Sequence, residues 1–347
     1  MVGEGALIGA LSYLAVGREA VFKTYNTCTA LLPILSNGLA TTQETKVLEE
    51  INGTRTYNAK IQASRRVEGE VEFYVYPGAT STAFLLQNAF GGTISSATAT
   101  GELTAGTAYE HTFEIGNFNQ TYSSICLNNR KGDDVNGKVF QYNGGRLSEL
   151  MFTAEIDEAL MGNATVMAVD STSGGTDISA ALLSGRFEAL SFIGGRVSIE
   201  ASMGAMTTSS YWHVQSVEFG INNGLKNDES SGRIGSALLD VLPAGIAGFT
   251  FNLTMRFDTT TAYDAMKSGN RFSAELEFLG STIPGSTLRE SLKFQMPKVY
   301  FNEAPEPEIG GPDETLVSEC SLVILRDTDT TTGYAMRAVL RNGIASY

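Results

Sequence analysis

Histidine is almost missing from this chain: 347 residues contain two, His111 and His213. Each sits in or beside a stretch that reads as strand, and neither has the neighbours that a catalytic triad or a zinc site needs. Cysteine is nearly as scarce. Cys28, Cys126 and Cys320 are far apart and odd in number, with no paired spacing. That excludes a zinc motif or a disulfide framework and leaves three reduced thiols, as in a cytosolic setting. Charge is also thin, at 18% of residues, and 24 basic side chains face 38 acidic ones, for a net charge of −14. A general nucleic-acid binder draws its affinity from an excess of Lys and Arg over phosphate, which this chain lacks. An acidic balance suits a soluble protein, or one that stays near DNA without gripping it. Long apolar runs are missing as well. The run Ala6–Val16 is interrupted by Ser12 and is too short to cross a bilayer, and no basic residue precedes it as in a secretory signal. It is expected to form an arm that packs against protein.

What is plentiful is glycine, 37 in all, together with Ser and Thr, a mix that favours strands and turns over surface helices. The length predicts two domains. Alternation with period 2 dominates. Val71, Phe73 and Val75 face one way while Glu70, Glu72 and Tyr74 face the other. Phe249, Phe251, Leu253, Met255 and Phe257 alternate with Thr250, Asn252, Thr254 and Arg256 in the same manner. Further strands are predicted over 112–115, 146–156, 164–169, 196–201, 213–221, 271–278, 291–296, 317–325 and 334–340. Asn143-Gly144-Gly145 and Asn222-Asn223-Gly224 read as turns between them.

Only two stretches read as helix, Ser81–Phe90 and Thr260–Ser268, each behind a Ser/Thr-rich start that can cap a first turn. They expose an internal repeat. Phe84 and Tyr263 lie equally far behind the glycines that open the preceding strands, Gly69 and Gly248. Phe113 and Ile115 then follow Phe84 at the spacing with which Leu292 and Phe294 follow Tyr263. Phe84 and Tyr263 are therefore expected to anchor each repeat's helix to its own sheet. The inward residues of the two first strands fall on opposite parity, which predicts a one-residue insertion, deletion or bulge in the strand or its link to the helix. The boundary between repeats is expected near the flexible stretch 171–188. The expected organisation is an arm over 1–50, a first β domain over 51–180 and a second over 181–347.

Two segments are expected to be loops. One is Asn128–Lys138; the other is Asn302–Glu314, with three of the eight prolines and five acids, which cannot be a central strand. Gly132–Val139 has the glycine and lysine spacing of a phosphate loop, but Val139 stands where Ser or Thr would hold magnesium, and no helix follows. Arg326–Gly333 resembles a calcium loop in composition only. Its glycine is one position late and Ala338 stands where the closing Glu belongs, so a hairpin turn is expected, with weak cation binding at Asp327 and Asp329 left open. Trp212 beside Tyr211 is expected to pack in a core or an interface and not to serve as a sugar platform.

At the level of spaced patterns the chain resembles the two-domain family of phage tail tube proteins. Leu11–Tyr25 (LSYLAVGREAVFKTY) carries the family's Gly, Glu and aromatic-x-Thr as Gly17, Glu19, Phe22 and Thr24. The Asn52–Arg55 turn follows, and Val67–Gly92 resembles the strand-Pro-helix-Leu-Leu-x-x-aromatic-Gly element. Val217–Asp228 and Thr330–Gly343 match later blocks. The chain departs from the pattern in its acidic proline loop and in Lys23, where the family has a small residue.

The resemblance implies a mainly β protein with two tandem tail-tube-like β-sandwich domains, each flanked by a short helix. It implies no enzyme activity and no cofactor. The implied role is a structural virion protein, assembled in the host cytoplasm and located in the virion tail. Trimeric rings with pseudo-sixfold symmetry would stack head to tail, contact the tape measure protein and other tail proteins, and let double-stranded DNA pass for ejection, with no membrane partner. Residues 1–45 are expected to dock on a neighbouring subunit or ring, with Leu11, Tyr13, Leu14 and Phe22 as contacts. Glu68, Glu70 and Glu72 are candidates for the channel lining, and an outer solvated face is the alternative for them. The competing readings are a monomeric β-rich adhesin or receptor-binding tail component, and a β-sandwich hydrolase, which lacks an acid–base constellation.

Overall fold

The computed structural model of the chain describes residues 9–51, 53–101, 106–118, 123–133, 137–179, 188–206, 211–307, 309, 315–328 and 333–347. These residues are mainly β. The first strands are β1 (Tyr13–Glu19), β2 (Ala30–Leu32), β3 (Ile34–Asn37), β4 (Ala40–Leu48) and β5 (Ala59–Tyr74), followed by helix α1 (Thr80–Phe90). Then come β6 (Ile94–Thr98), β7 (Tyr109–Glu114), β8 (Ser124–Lys131), β9 (Lys138–Glu155), β10 (Met161–Ala168) and β11 (Asp170–Ser173). The second half holds β12 (Gly195–Glu200), β13 (Val214–Asn222), β14 (Gly248–Arg256) and helix α2 (Thr261–Ser268). It closes with β15 (Phe272–Thr282), β16 (Arg289–Glu303), β17 (Val317–Ile324) and β18 (Arg337–Asn342).

All pairings between these strands are antiparallel. The main sheet runs β4–β5–β10–β9–β13–β14–β17–β16. Long β16 then pairs along its other edge with β15, and β15 pairs with β12. Early β16 also pairs with β18, which carries β7 and β6. A second, smaller sheet runs β2–β1–β8–β9–β11. The core is the space between facing strands. Phe152 of β9 and Phe219 of β13 lie across from Phe278 and Phe294 of β15 and β16, with centroid separations of 4.7–6.1 Å. All are buried, and aromatic pairs at such spacings add to simple area burial.

Strand β9 takes part in both sheets. Its first half pairs with β8 and β11 and its second half with β10 and β13. The change falls at Asn143-Gly144-Gly145, where the register against β8 shifts. The expectation of a turn there is corrected: it is a bulge inside one continuous strand. Gly144 has φ +63°, and a Cβ at this position would come within 2.9 Å of Val169, so only glycine fits the bend. The loop expected over 128–138 is also corrected in part. Asn128, Asn129 and Arg130 belong to β8 and are buried.

The two helices form where expected but sit differently. Every residue of α1 from Ser81 to Phe90 is buried, its polar Thr82 and Asn88 included, which bond to the Tyr76 carbonyl and to the Ser123 carbonyl and Leu147 amide. Only Ala262 and Ala265 are buried in α2. Both helices end on a left-handed glycine, Gly91 and Gly269. With those caps matched, Phe84 corresponds to Ala262, and the inward residues Phe73 and Phe251 then agree in parity. The one-residue offset lies after the helix instead of before it. Tyr263 does not anchor α2; it is half-buried, with the Lys267 ammonium 5.1 Å from its ring centroid.

Phe84 of α1 is buried and meets the C-terminus. The Tyr347 ring wedges edge-on between Phe84 (6.3 Å) and His111 of β7 (4.6 Å). His111 is fully buried; its Nδ1 lies 2.8 Å from Ser96 Oγ and its Nε2 lies 2.8 Å from the Ile344 carbonyl. Asn342 holds the tail further, donating to the Pro77 carbonyl at 2.7 Å.

Phe84→Ala should cost about 3–5 kcal/mol and visibly lower the melting temperature, as for other buried aromatics. Tyr263→Ala should cost about 1 kcal/mol or less. Equal losses in thermal unfolding would contradict the difference in anchoring. The pH dependence of the tail follows from His111. Burial lowers its pKa below 6.5, so the fold favours the neutral ring. The unfolded chain binds the proton more readily, so this contribution to stability is intact above about pH 6.5 and is lost as pH falls below it. His111→Gln should be less stable at pH 7.5 yet show a flatter fall in stability between pH 6.5 and 5.

Candidate assembly and channel surfaces

The N-terminal motif works inside its own chain. β1 lies between β2 and β8, and Tyr13, Leu14, Ala15 and Val16 are all buried. This corrects the expectation of a docking arm at Tyr13 and Leu14, because neither side chain has surface left to offer a neighbour. Removing residues up to 16 would strip a core strand, so the truncated chain would not stay folded. Of the four expected contacts, Leu11 faces outward, at 50% exposure. Phe22 is half-buried over Met167, Val169, Leu239 and Leu242, with the Arg146 guanidinium 4.9 Å above its ring. Residues 1–8 lie outside the described residues.

Glu19 explains why the motif needs a carboxylate. It is 1% exposed and accepts hydrogen bonds from Gly144 N (2.8 Å), Ser124 Oγ (2.8 Å) and Lys23 N (3.2 Å). It thereby fastens the turn after β1 to the bulge of β9. Burial pushes its pKa up, and the three donors pull it back. Lys23 has φ +67°, a backbone form that this clasp stabilises, and its Nζ reaches Asp240 at 3.1 Å.

The projecting element is a ribbon made by β4 and the first half of β5. At its base Arg65 pairs with Asp170 and donates its amide to the Ala237 carbonyl (2.7 Å), while Thr41 Oγ1 meets Ser171 Oγ at 2.7 Å. Beyond those anchors most described residues of the ribbon are exposed, Val47, Ile51, Tyr57 and Ile61 included. At about 3.4 Å per residue it extends roughly 25 Å from the body. A lone two-stranded ribbon is marginal in water, so this one calls for a partner.

The second surface is the polar face of the main sheet. Glu68, Glu70 and Glu72 of β5 share it, as expected of one strand face. The register extends it across both halves of the chain. Glu70 lies opposite Thr165, which lies opposite Glu149; Glu218 lies opposite Thr153 and Asn252. Glu155 faces Ser216, which faces Thr254, which faces Glu319. Arg66 and Arg256 stand at its two margins, and Arg256 is tied to Asp258 at 2.7 and 2.9 Å. The alternation of β9, β13 and β17 made their outward residues readable, but which strands would lie side by side was not.

His213 is exposed, with Nδ1 2.5 Å from Asp258 Oδ2. Trp212 stacks on Phe301 at 5.7 Å and donates to the Ile199 carbonyl at 3.1 Å. Asp327 is buried against the Arg271 guanidinium at 2.9 Å, and Asp329 lies outside the described residues. Among the described residues no group of three or more His, Cys, Asp or Glu side chains is placed to hold a metal. No described helix is long and apolar enough to cross a membrane.

A family model described as phage tail tube protein matches residues 9–318. No curated protein matches the chain. A solved structure titled "Crystal structure of Hcp protein" aligns with a TM-score of 0.26 and 15% identity over 37% of this chain and 86% of that one. A likeness at that level carries no argument about this chain.

Proposed function

The chain belongs to the phage tail tube protein family, and we infer that it is the subunit of a tube whose channel is lined by the acidic face of the main sheet. Two tail-tube domains, over 51–180 and 181–347, would let three copies close a pseudo-sixfold ring. The recurrence of strand, helix and two paired strands in β5-α1-β6-β7 and β14-α2-β15-β16 supports that division. Rings would stack head to tail, a second heterologous contact, with the ribbon reaching into a neighbouring copy. Such a tube belongs in the virion tail, assembled in the host cytoplasm around a tape measure protein, and double-stranded DNA would pass through it on ejection.

The observation that carries this reading is the continuous acidic face. Glu68, Glu70 and Glu72 from one half share it with Glu218 and Glu319 from the other. DNA carries one charge per about 1.7 Å of its axis, so attraction repeated at every ring would hold the duplex fast. Screening at physiological salt acts over about 8 Å, so wall charges are felt by a duplex that nearly fills the channel. A carboxylate wall repels it and leaves it free to slide.

Two experiments test the reading. Replacing residues 46–60 by a short Gly-Ser turn should leave a folded, soluble subunit that forms no tubes in negative-stain images. Tubes of normal length from this variant would remove the ribbon from assembly. Glu70→Lys, Glu218→Lys and Glu319→Lys together should leave assembly intact but make tubes sediment with double-stranded DNA at 50 mM salt. If native tubes already bind DNA, or the triple variant does not, that face does not line the channel.

A further inference from the structure

Cys28 and Cys126 are distant in sequence and meet in the fold. Their Sγ atoms are 3.7 Å apart and both residues are buried. Cys126 lies in β8 directly opposite Gly17 of β1. Cys28 lies on the segment joining β1 to β2, which folds back over the same glycine. A Cβ on Gly17 would come within 2.9 Å of both Cys126 Sγ and Cys28 Cα, so the missing side chain is what lets the two sulfurs face each other.

Their surroundings hold them in place. Cys126 Sγ donates to the Asn26 carbonyl at 3.1 Å, and Cys28 Sγ lies 3.5 Å from the Cys126 carbonyl. Tyr13 and Ala15 pack around the pair, with Tyr25, Leu31 and Ile178 at the rim. When Cys28 donates to Cys126, its own pKa goes up, and the bond it donates holds that of Cys126 down against burial. Cys320, in β17, has Ser318 Oγ beside its sulfur at 3.5 Å and belongs to a different part of the core.

The geometry points to a latent cross-link: Cys28 and Cys126 form a disulfide site that closes when the chain meets a small-molecule disulfide. The sulfurs must approach by about 1.7 Å to reach the bonded distance of about 2.05 Å. The Cys126 thiolate attacks one sulfur of the oxidant and expels its first thiol. The Cys28 thiolate then attacks the Cys126 sulfur of the mixed disulfide and expels the second. The protein gives up two electrons and two protons, and one oxidant disulfide becomes two thiols. Exposed Asn26 and Thr27 cover the pair, so local opening of the segment before β2 admits the oxidant. The bond would fasten the segment between β1 and β2 to β8 and close a loop of 98 residues. It concerns the single chain and does not depend on ring formation.

The full-length reduced chain is treated with oxidised glutathione and mapped by mass spectrometry. The expected product is a Cys28–Cys126 linked peptide pair, with free thiols in the denatured chain falling from three to one. The melting temperature should rise by about 5 °C, as for a long closed loop in a chain of this size, and dithiothreitol should reverse it. Cys320→Ser should keep the shift; Cys28→Ser and Cys126→Ala should each abolish it. Three outcomes overturn the proposal: stable glutathione adducts on either cysteine in place of the internal bond, a cross-link that lowers the melting temperature, or three surviving thiols under conditions that cross-link the urea-unfolded chain.

Discussion

Strand β9 is the constraint from which the rest of the structure follows, because it must satisfy partners on both edges in two different sheets. Its first half is enclosed by β8 and β11 and its second by β10 and β13. A strand that changes sheets has to bend, and the bend leaves backbone groups that need partners away from the ladder. Glu19 answers that need at Gly144, and the Asn143 side chain ties the bend to the turn after β1, donating from Nδ2 to the Lys23 carbonyl at 3.0 Å. The buried carboxylate is costly to desolvate, so it requires its donors already in place. Hence the turn after β1, the bulge of β9 and Ser124 of β8 form one cooperative unit. Far along the same strand, Phe152 stacks on Phe219 and carries that rigidity into the second half.

What could be read from the chain depended on how each strand is buried. β5, β14 and β17 have one wet face, and their alternation shows it. β1 has none, and a strand buried on both faces reads as a continuous apolar run with no period, so the sequence alone does not distinguish Tyr13–Val16 from an apolar arm. β4 has the opposite problem. Both its faces are polar and exposed, so no hydrophobic pattern marks it, yet it forms the ribbon that projects. The repeat was legible in the order of elements but misaligned by one residue, since aromatic Tyr263 is easier to notice than Ala262, the residue that packs. Family membership was carried by the spacing of Gly17, Glu19 and Phe22, and the structure supplies the reason for each: sulfur packing, the β9 clasp, and a lid over Met167 and Leu242.

The net charge of −14 acquires a location in the fold. Arginines are drawn into specific pairings: Arg130 to Asp177 at 2.6 Å, Arg341 to Glu110 at 3.0 Å and Arg256 to Asp258. The carboxylates of the main sheet's polar face receive few such partners. Glu70 faces Thr165, and Glu218 takes a hydrogen bond from Asn252 at 3.0 Å. Placing like charges on neighbouring strands works against the sheet by a few tenths of a kcal/mol or more per pair. The Thr, Asn and Ser residues set between them reduce that cost without removing the charge, so the field is kept while the strands remain paired.

This division of labour also separates what must be rigid from what must be free. The clasp around Glu19, the aromatic core and the Tyr347 wedge hold the body through buried contacts. The ribbon shares none of them beyond its anchors at Thr41 and Arg65. Its stability is therefore decoupled from that of the body, so fraying of the ribbon would not unfold the sheet beneath it.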